Sequence, residues 1–285
     1  MSEQYIEENI KDNLIMRYKI NETLFSGRSE FQKVEVVQTT GYGKMLLNDD
    51  LVMLTERDEF VYHDMMAHVP LFVHPNPKNV LIIGGGDGGT AREVLRHTTV
   101  ASVTMVEIDK MVVDACIEYI PQTSSELLGN PKLNLVIGDG VKFAKETTQK
   151  FDVILVDSTD PIGPAQPLFG DEFYADLYNC LTDNGIVVSQ GESCHYEATM
   201  QNKLMNIIYD KFAVTSIYNF HNLTYPGGFW SFTFASKGLH PVKNFDPARV
   251  HKSQLEFTYY NPDIHVAAFA LPTFQRKNIG QFIKG

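Results

Sequence analysis

The sequence predicts an α/β protein: a mostly parallel, doubly wound sheet preceded by a small β region. Three observations carry this reading. Short, continuous apolar runs recur from Asn79 onward and are separated by helix-length segments. A glycine-rich turn follows the first of these runs and opens a helix. Residues 1–54 instead show strand alternation and tight turns, with no helical period.

In the N-terminal region, Phe31 to Val37 is rich in β formers, and Lys33 and Glu35 alternate with apolar neighbours. Gly41-Tyr42-Gly43 and Asn48-Asp49-Asp50 mark turns. The pattern changes at Thr55, so the expected division is a β-strand domain over 1–54 and a catalytic domain over 55–285. Thr55 and Asp58 have the spacing of a capping box for a helix that carries Phe60, Val61, Met65, Met66, Val69 and Phe72 on one period. Pro75 and Pro77 end it. The strands expected to be buried on both faces are Asn79–Ile83, Ser102–Val106, Leu133–Ile137, Phe151–Val156 and Gly185–Ser189. Lys110–Tyr119, Val141–Thr147 and Glu172–Leu181 are helix-length connections. Ala213–Phe220 and Phe229–Ala235 flank Tyr225-Pro226-Gly227-Gly228 and are expected to pair at the sheet edge.

The chain has 285 residues, 44% hydrophobic and 21% charged, enough to bury a large core without staples. Its formal charge of −11 disfavours nucleic acid, which needs a basic face, and suits a cationic ligand. The cysteines are Cys116, Cys180 and Cys194, an odd number without metal-ligand spacing, as in reduced thiols. The polar, acidic N-terminus does not read as a signal peptide, and no apolar run is long enough for a membrane span. A soluble, cytoplasmic protein is expected. His68, His74, His97 and His221 are expected in surface or capping roles, and Trp230 in the core.

Four motifs carry chemistry. Gly84-Gly85-Gly86-Asp87-Gly88-Gly89 lies between a strand and a helix, where glycines permit close approach of a ligand. Glu107 closes the next strand, an acid at the spacing that accepts hydrogen bonds from ribose hydroxyls. Asp87 repels a pyrophosphate but welcomes an ammonium or sulfonium, so an S-adenosyl compound is favoured over a dinucleotide. Gly138-Asp139-Gly140 follows the third strand, and Asp139 is placed to accept from an amino group. Asp157-Ser158-Thr159-Asp160-Pro161 follows the fourth strand and supplies two more acids. These carboxylates share one sheet edge, which is costly unless a cation binds among them, either a divalent metal or an organic polycation. A donor that has lost its carboxylate and kept its amine fits that edge better than S-adenosylmethionine itself.

These residues resemble the spermidine synthases, or polyamine aminopropyltransferases, along nearly the whole chain. The matching blocks are Thr55 to Met66, Leu81 to Gly89, Val106-Glu107-Ile108-Asp109, Asp157 to Pro164, and Tyr259 through Pro272. The resemblance implies a Rossmann-like, methyltransferase-type sheet behind a small N-terminal β domain, and a homodimer or homotetramer. It implies transfer of an aminopropyl group from decarboxylated S-adenosylmethionine to putrescine, giving spermidine and 5'-methylthioadenosine. No metal or other cofactor is implied. By the same match Asp157 is the general base. Gln32, Asp87, Glu107, Asp139, Gly140 and Pro164 hold the donor. Tyr62, His63, Asp87, Asp157, Ser158, Asp160, Gln190 and Tyr225 hold the acceptor amine. One departure is Met53, where the family commonly has glutamine near the reacting amine. It leaves cadaverine or agmatine open as acceptors, while a methyltransferase is the rival reading.

Overall fold

Residues 33–36 and 51–54 alternate half-exposed and buried side chains, and that period of two marks strands of the first sheet. The computed structural model describes residues 3–10, 14–159 and 163–285, with only the main chain of Gly163 and Pro164. The sheet is an antiparallel meander of β1 (Gln4–Ile10), β2 (Leu14–Arg28), β3 (Lys33–Thr39), β4 (Lys44–Asn48) and β5 (Leu51–Thr55), in sequence order. One face packs Val34, Val36, Leu46 and Leu54 against Val112, Ala115, Cys116 and Ile120, which fixes this sheet on the rest of the chain.

α1 (Glu59–Val73) leads into the second sheet. Its strands and helices alternate as β6 (Asn79–Gly84), α2 (Gly89–Leu95), β7 (Ser102–Glu107), α3 (Lys110–Tyr119), α4 (Pro121–Ser124), β8 (Leu133–Ile137), α5 (Gly140–Glu146), β9 (Phe151–Asp157), α6 (Asp171–Cys180), β10 (Leu181–Gln190) and α7 (Ala198–Lys211). β11 (Val214–His221) and β12 (Phe229–Ser236) follow, then α8 (Pro247–Ser253), α9 (Pro262–Ala268) and α10 (Thr273–Ile279). The strand order is β11-β12-β10-β9-β6-β7-β8. β12 runs antiparallel to both its neighbours, whereas β10, β9, β6, β7 and β8 pair in parallel. This is the Rossmann-like, methyltransferase-type architecture.

The inner strands are apolar throughout because both faces are covered. Val80, Ile82, Val153 and Leu155 enter one core with α1 residues such as Met65, Met66 and Val69. Leu81, Ile83, Ile154 and Val156 enter the other with Phe173, Leu177, Leu204 and Ile208. Burying each such side chain contributes roughly 1.5–3 kcal/mol.

Two local expectations change. Thr55 closes β5, and Asp58 makes no side-chain cap to α1. Instead, Asp58 accepts from Thr55 Oγ1 at 2.7 Å and from the backbone N–H groups of Leu223 and Thr224 at 2.6 and 2.9 Å. A tertiary partner has taken the carboxylate that local spacing assigned to a cap, and the pair now anchors the loop that carries Tyr225. His68, His74 and His97 are not surface residues, although His74 does cap the end of α1, its N–H donating to the Pro70 carbonyl at 2.9 Å. All three are buried, and His68 joins Glu93 at 3.1 Å and His97 at 2.9 Å. Residues scattered in sequence meet there because α1 and α2 pack side by side.

Candidate active site

The order of the parallel strands reverses between β6 and β9, and their carboxyl ends open a crevice at that switch point. Gly84 of β6 stands opposite Asp157 of β9 in the ladder, and Gly85 N–H donates to the Asp157 carbonyl at 2.9 Å. Gly84 has φ +83°, and a Cβ there would lie 2.1 Å from that carbonyl oxygen. Only glycine lets the two strand ends meet so closely. The crevice opens into a cavity of about 470 Å³, walled on the other side by β4 and β5.

Asp157 is enclosed. Its Oδ1 accepts from Tyr62 Oη at 2.8 Å and its Oδ2 from Thr90 Oγ1 at 2.6 Å. Burial raises its pKa above the usual carboxylate range, and the Asp87 charge adds to the rise. The His63 charge and the two hydroxyls oppose it.

His63 does not face an acceptor freely. Its Nδ1 meets Glu59 Oε2 at 2.6 Å and its Nε2 meets Asp87 Oδ1 at 3.2 Å. Burial disfavours the imidazolium, yet Asp87 and Glu59 prevail and push its pKa up to about 10. Burial likewise opposes the Glu59 carboxylate, but His63 and Arg92 hold it at about 2. At neutral pH His63 is therefore a cation that pairs Asp87 and is no proton acceptor. Its ring fills the place a Cβ at Gly89 would need, 2.2 Å from Cε1.

Toward β7 the cavity is lined by Gln32, Gly86, Glu107, Asp139 and Gly140. Glu107 Oε1 accepts from Asp109 N–H at 2.8 Å. Burial is the main cause that pushes its pKa up to about 7, with the Asp109, Asp157 and Asp87 charges adding to it. Gln32 Nε2 donates to Asp109 Oδ2 at 3.0 Å, so Asp109 anchors it. Asp139 Oδ1 caps α5, accepting from Val141 N–H at 2.8 Å and Lys142 N–H at 3.2 Å. A Cβ at Gly140 would stand 2.5 Å from Ile83 Cγ2.

Toward the first sheet the cavity is lined by Met53, Ser158, Gln190, Glu192, Tyr225 and Trp230. Tyr225 Oη donates to the Met53 carbonyl at 2.8 Å, and its ring meets Tyr62 edge-on at 5.8 Å. Ser158 Oγ is buried without a hydrogen-bond partner among the described residues. Trp230 belongs to the core as expected, but it also forms part of this wall. Asp160 lies outside the described residues, as does the side chain of Pro164. The other expected site residues all line the one cavity. Sequence reasoning missed Glu59, Thr90 and Asp109, which hold His63, Asp157 and Gln32. The available signals were the four-residue step from Glu59 to His63 and the acid two residues beyond Glu107.

His63, Asp87 and Asp157 bring potential ligand atoms within 4.8 Å of one another. Both nitrogens of His63 already face carboxylates, and a protonated imidazole is no metal ligand. Two half-buried carboxylates beside one imidazolium better suit a cation that donates hydrogen bonds. Asp64, His68 and Glu93 form a second such cluster, and there Glu93 is already bound by Arg92 and Arg96. Among the described residues, no helix is long and apolar enough to cross a membrane.

The comparisons agree with this geometry. Residues 59–246 match the family model of the spermine/spermidine synthase domain, and residues 4–56 that of the spermidine synthase tetramerisation domain. A polyamine aminopropyltransferase from Alkaliphilus metalliredigens is 48% identical, covering 96% of this chain and 97% of that protein. One from Thermotoga maritima is 42% identical, over 97% and 93%. A crystal structure of spermidine synthase in complex with the transition state analogue AdoDATO superposes with a TM-score of 0.95 at 41% identity, covering 98% of this chain and 95% of that one. Spermidine synthase from Thermotoga maritima gives 0.94 at 40%, over 99% and 96%. With both family models matched and nearly the full length shared with such relatives, this chain belongs to the spermine/spermidine synthase family.

Proposed function

We propose that the chain is a polyamine aminopropyltransferase that moves the aminopropyl group of decarboxylated S-adenosylmethionine to putrescine, giving spermidine and 5'-methylthioadenosine. The observation that carries this is Asp157, half-buried beside Asp87 and oriented by Tyr62 and Thr90 at the switch point. An alkyl ammonium has a pKa of about 10.4 by analogy with lysine, so the acceptor arrives protonated and non-nucleophilic. Asp157 takes one proton, and its raised pKa makes it a better base than an exposed carboxylate. The freed nitrogen pair attacks the carbon beside the sulfonium, the carbon–sulfur bond breaks, and its electrons leave on sulfur as a neutral thioether. The sulfonium supplies its own leaving group, so the reaction calls for neither metal nor redox group. Alignment of nitrogen, carbon and sulfur supplies much of the acceleration.

In this reading Glu107, Gln32, Asp139, Gly140 and Pro164 hold the nucleoside. Asp87, kept paired by His63, takes the ammonium of the transferred group. Tyr62, Ser158, Asp160, Gln190 and Tyr225 line the acceptor channel, and His63 acts on it through Asp87. The match to a tetramerisation domain supports a homo-oligomer, dimer or tetramer. Three free, buried cysteines support a reducing, cytoplasmic setting. The test is an acceptor panel with carboxylated and decarboxylated donor, read by mass spectrometry. Methylthioadenosine formed only with the decarboxylated donor and a diamine is expected. Methyl transfer from S-adenosylmethionine, or activity abolished by chelators, would defeat the reading.

Met53 is the position to watch for acceptor choice. It is half-buried and presents a thioether where an amide is common in the family. Met53→Gln restores a hydrogen-bonding group near the reacting amine, and is expected to change the preference between putrescine and cadaverine by roughly fivefold or more, within the range of one hydrogen bond. An unchanged ranking of kcat/KM values would show that position 53 does not read the acceptor.

A further inference from the structure

β10 ends at Gln190, and the chain turns through Gly191 into Glu192. Glu192 is fully buried and has φ +65°, in the left-handed region. A residue with a Cβ stays there only where its surroundings over-determine it. Its carbonyl accepts from Ser231 Oγ at 2.7 Å and from Gln201 Nε2 at 3.2 Å. Gln201 Nε2 also donates to Ser231 Oγ at 2.9 Å. Gln201 Oε1 accepts from Gln275 Nε2 at 3.3 Å, which donates in turn to Asn219 Oδ1 at 3.1 Å. Asn219 Nδ2 returns a bond to Gln275 Oε1 at 2.8 Å. One consistent set of donors thus runs from α10 and β11, through α7 and β12, to a single carbonyl.

These four side chains are buried, so the network adds nothing at the surface. What the network supplies is one fixed main-chain conformation at Glu192. Glu192 lines the acceptor end of the cavity with Trp230 and Asn222, whereas Gln201 and Ser231 stand behind it and do not line it. The direction of the Glu192 side chain follows from that main chain.

We propose that Gln201 and Ser231 are positioning residues for the acceptor amine, acting through the backbone of Glu192 to set where its carboxylate meets the ammonium. This rests on the aminopropyl-transfer reading above. The experiment compares Gln201→Leu, Ser231→Ala and Glu192→Gln with the double variant Gln201→Leu/Glu192→Gln, measuring KM for putrescine, KM for the donor, and kcat. Each single variant is expected to raise the putrescine KM about tenfold, with donor KM changed less than about twofold. In the Glu192→Gln background, Gln201→Leu should add less than about twofold, because the two act as one unit. Ser231→Ala removes a single hydroxyl and carries the same reading should Gln201→Leu not fold. An unmoved putrescine KM in the single variants, losses that multiply in the double variant, or donor and acceptor KM rising together would overturn the clamp. A wild-type chain that forms no methylthioadenosine from any diamine would overturn the functional reading instead, and this one with it.

Discussion

Asp157→Asn is expected to lower kcat by about 10²–10⁴-fold while donor affinity stays within about threefold. The substitution is nearly isosteric. The asparagine carbonyl can still accept from Tyr62, and the Thr90 hydroxyl can turn to accept from the amide, so the crevice keeps its shape. What is lost is the proton acceptor. Donor contacts along β7 and α5 are untouched. In the wild type, burial and the Asp87 charge hold the Asp157 pKa above the usual carboxylate range. Activity should therefore fall as pH drops through that raised value, leaving an acid limb displaced upward in kcat/KM. Asp87→Asn removes the like charge, so in that variant the limb should move to lower pH. Near-normal turnover in Asp157→Asn would remove Asp157 from its role.

The parallel strands were legible because they are buried on both faces. A run such as Val80-Leu81-Ile82-Ile83 feeds two cores at once and so reads as continuous apolar sequence. The edge hairpin β11–β12 was legible for a different reason, the Pro-Gly-Gly turn between two β-rich runs. Helices α8 to α10 were not legible. Each has seven residues, too few for a period, although Asp246 and Asn261 cap helices that open with Pro247 and Pro262. Asp58 shows the opposite failure. Its local signal was clear, and a partner in the loop before Tyr225, reached only in the fold, outweighed it.

The carboxylates of the site were readable because strand ends place them: Glu107 and Asp157 end parallel strands, and Asp87 and Asp139 follow them. What supports them was not readable. The expectation that His63 contacts an amine had no means of foreseeing that Glu59 and Asp87 occupy both its nitrogens. Thr90 lies in the first turn of α2, where a threonine ordinarily signals nothing beyond the helix start. Glu192 shows no pattern at all, since a left-handed backbone held by residues on four other elements leaves no trace in local sequence.

Glu107→Gln is expected to weaken the nucleoside and to stabilise the empty protein, two effects of opposite sign from one group. Losing the charge should cost at least tenfold in affinity for methylthioadenosine, since a hydrogen bond to an ionised acceptor is worth about 1.5–3 kcal/mol. Stability moves the other way. Burial raises the Glu107 pKa from its ordinary 4.5 to about 7, so the folded chain holds this proton more tightly than the unfolded chain does. Between those values the unfolded state binds fewer protons, and stability falls as pH rises. Above pH 7 the full penalty is present, about 3 kcal/mol at about 1.4 kcal/mol per pH unit. Glutamine carries no such penalty, and its carbonyl can still accept from the Asp109 N–H. The variant should therefore melt several degrees higher at pH 8 and nearly level with the wild type at pH 4.5. Ribose hydroxyls favour the ionised carboxylate, so binding near pH 7 should release a proton in the wild type and none in the variant. Calorimetry in buffers of different ionisation enthalpy reads that proton directly. Unchanged affinity would contradict the ribose assignment, and parallel melting curves across pH would show that Glu107 is not held protonated by its burial.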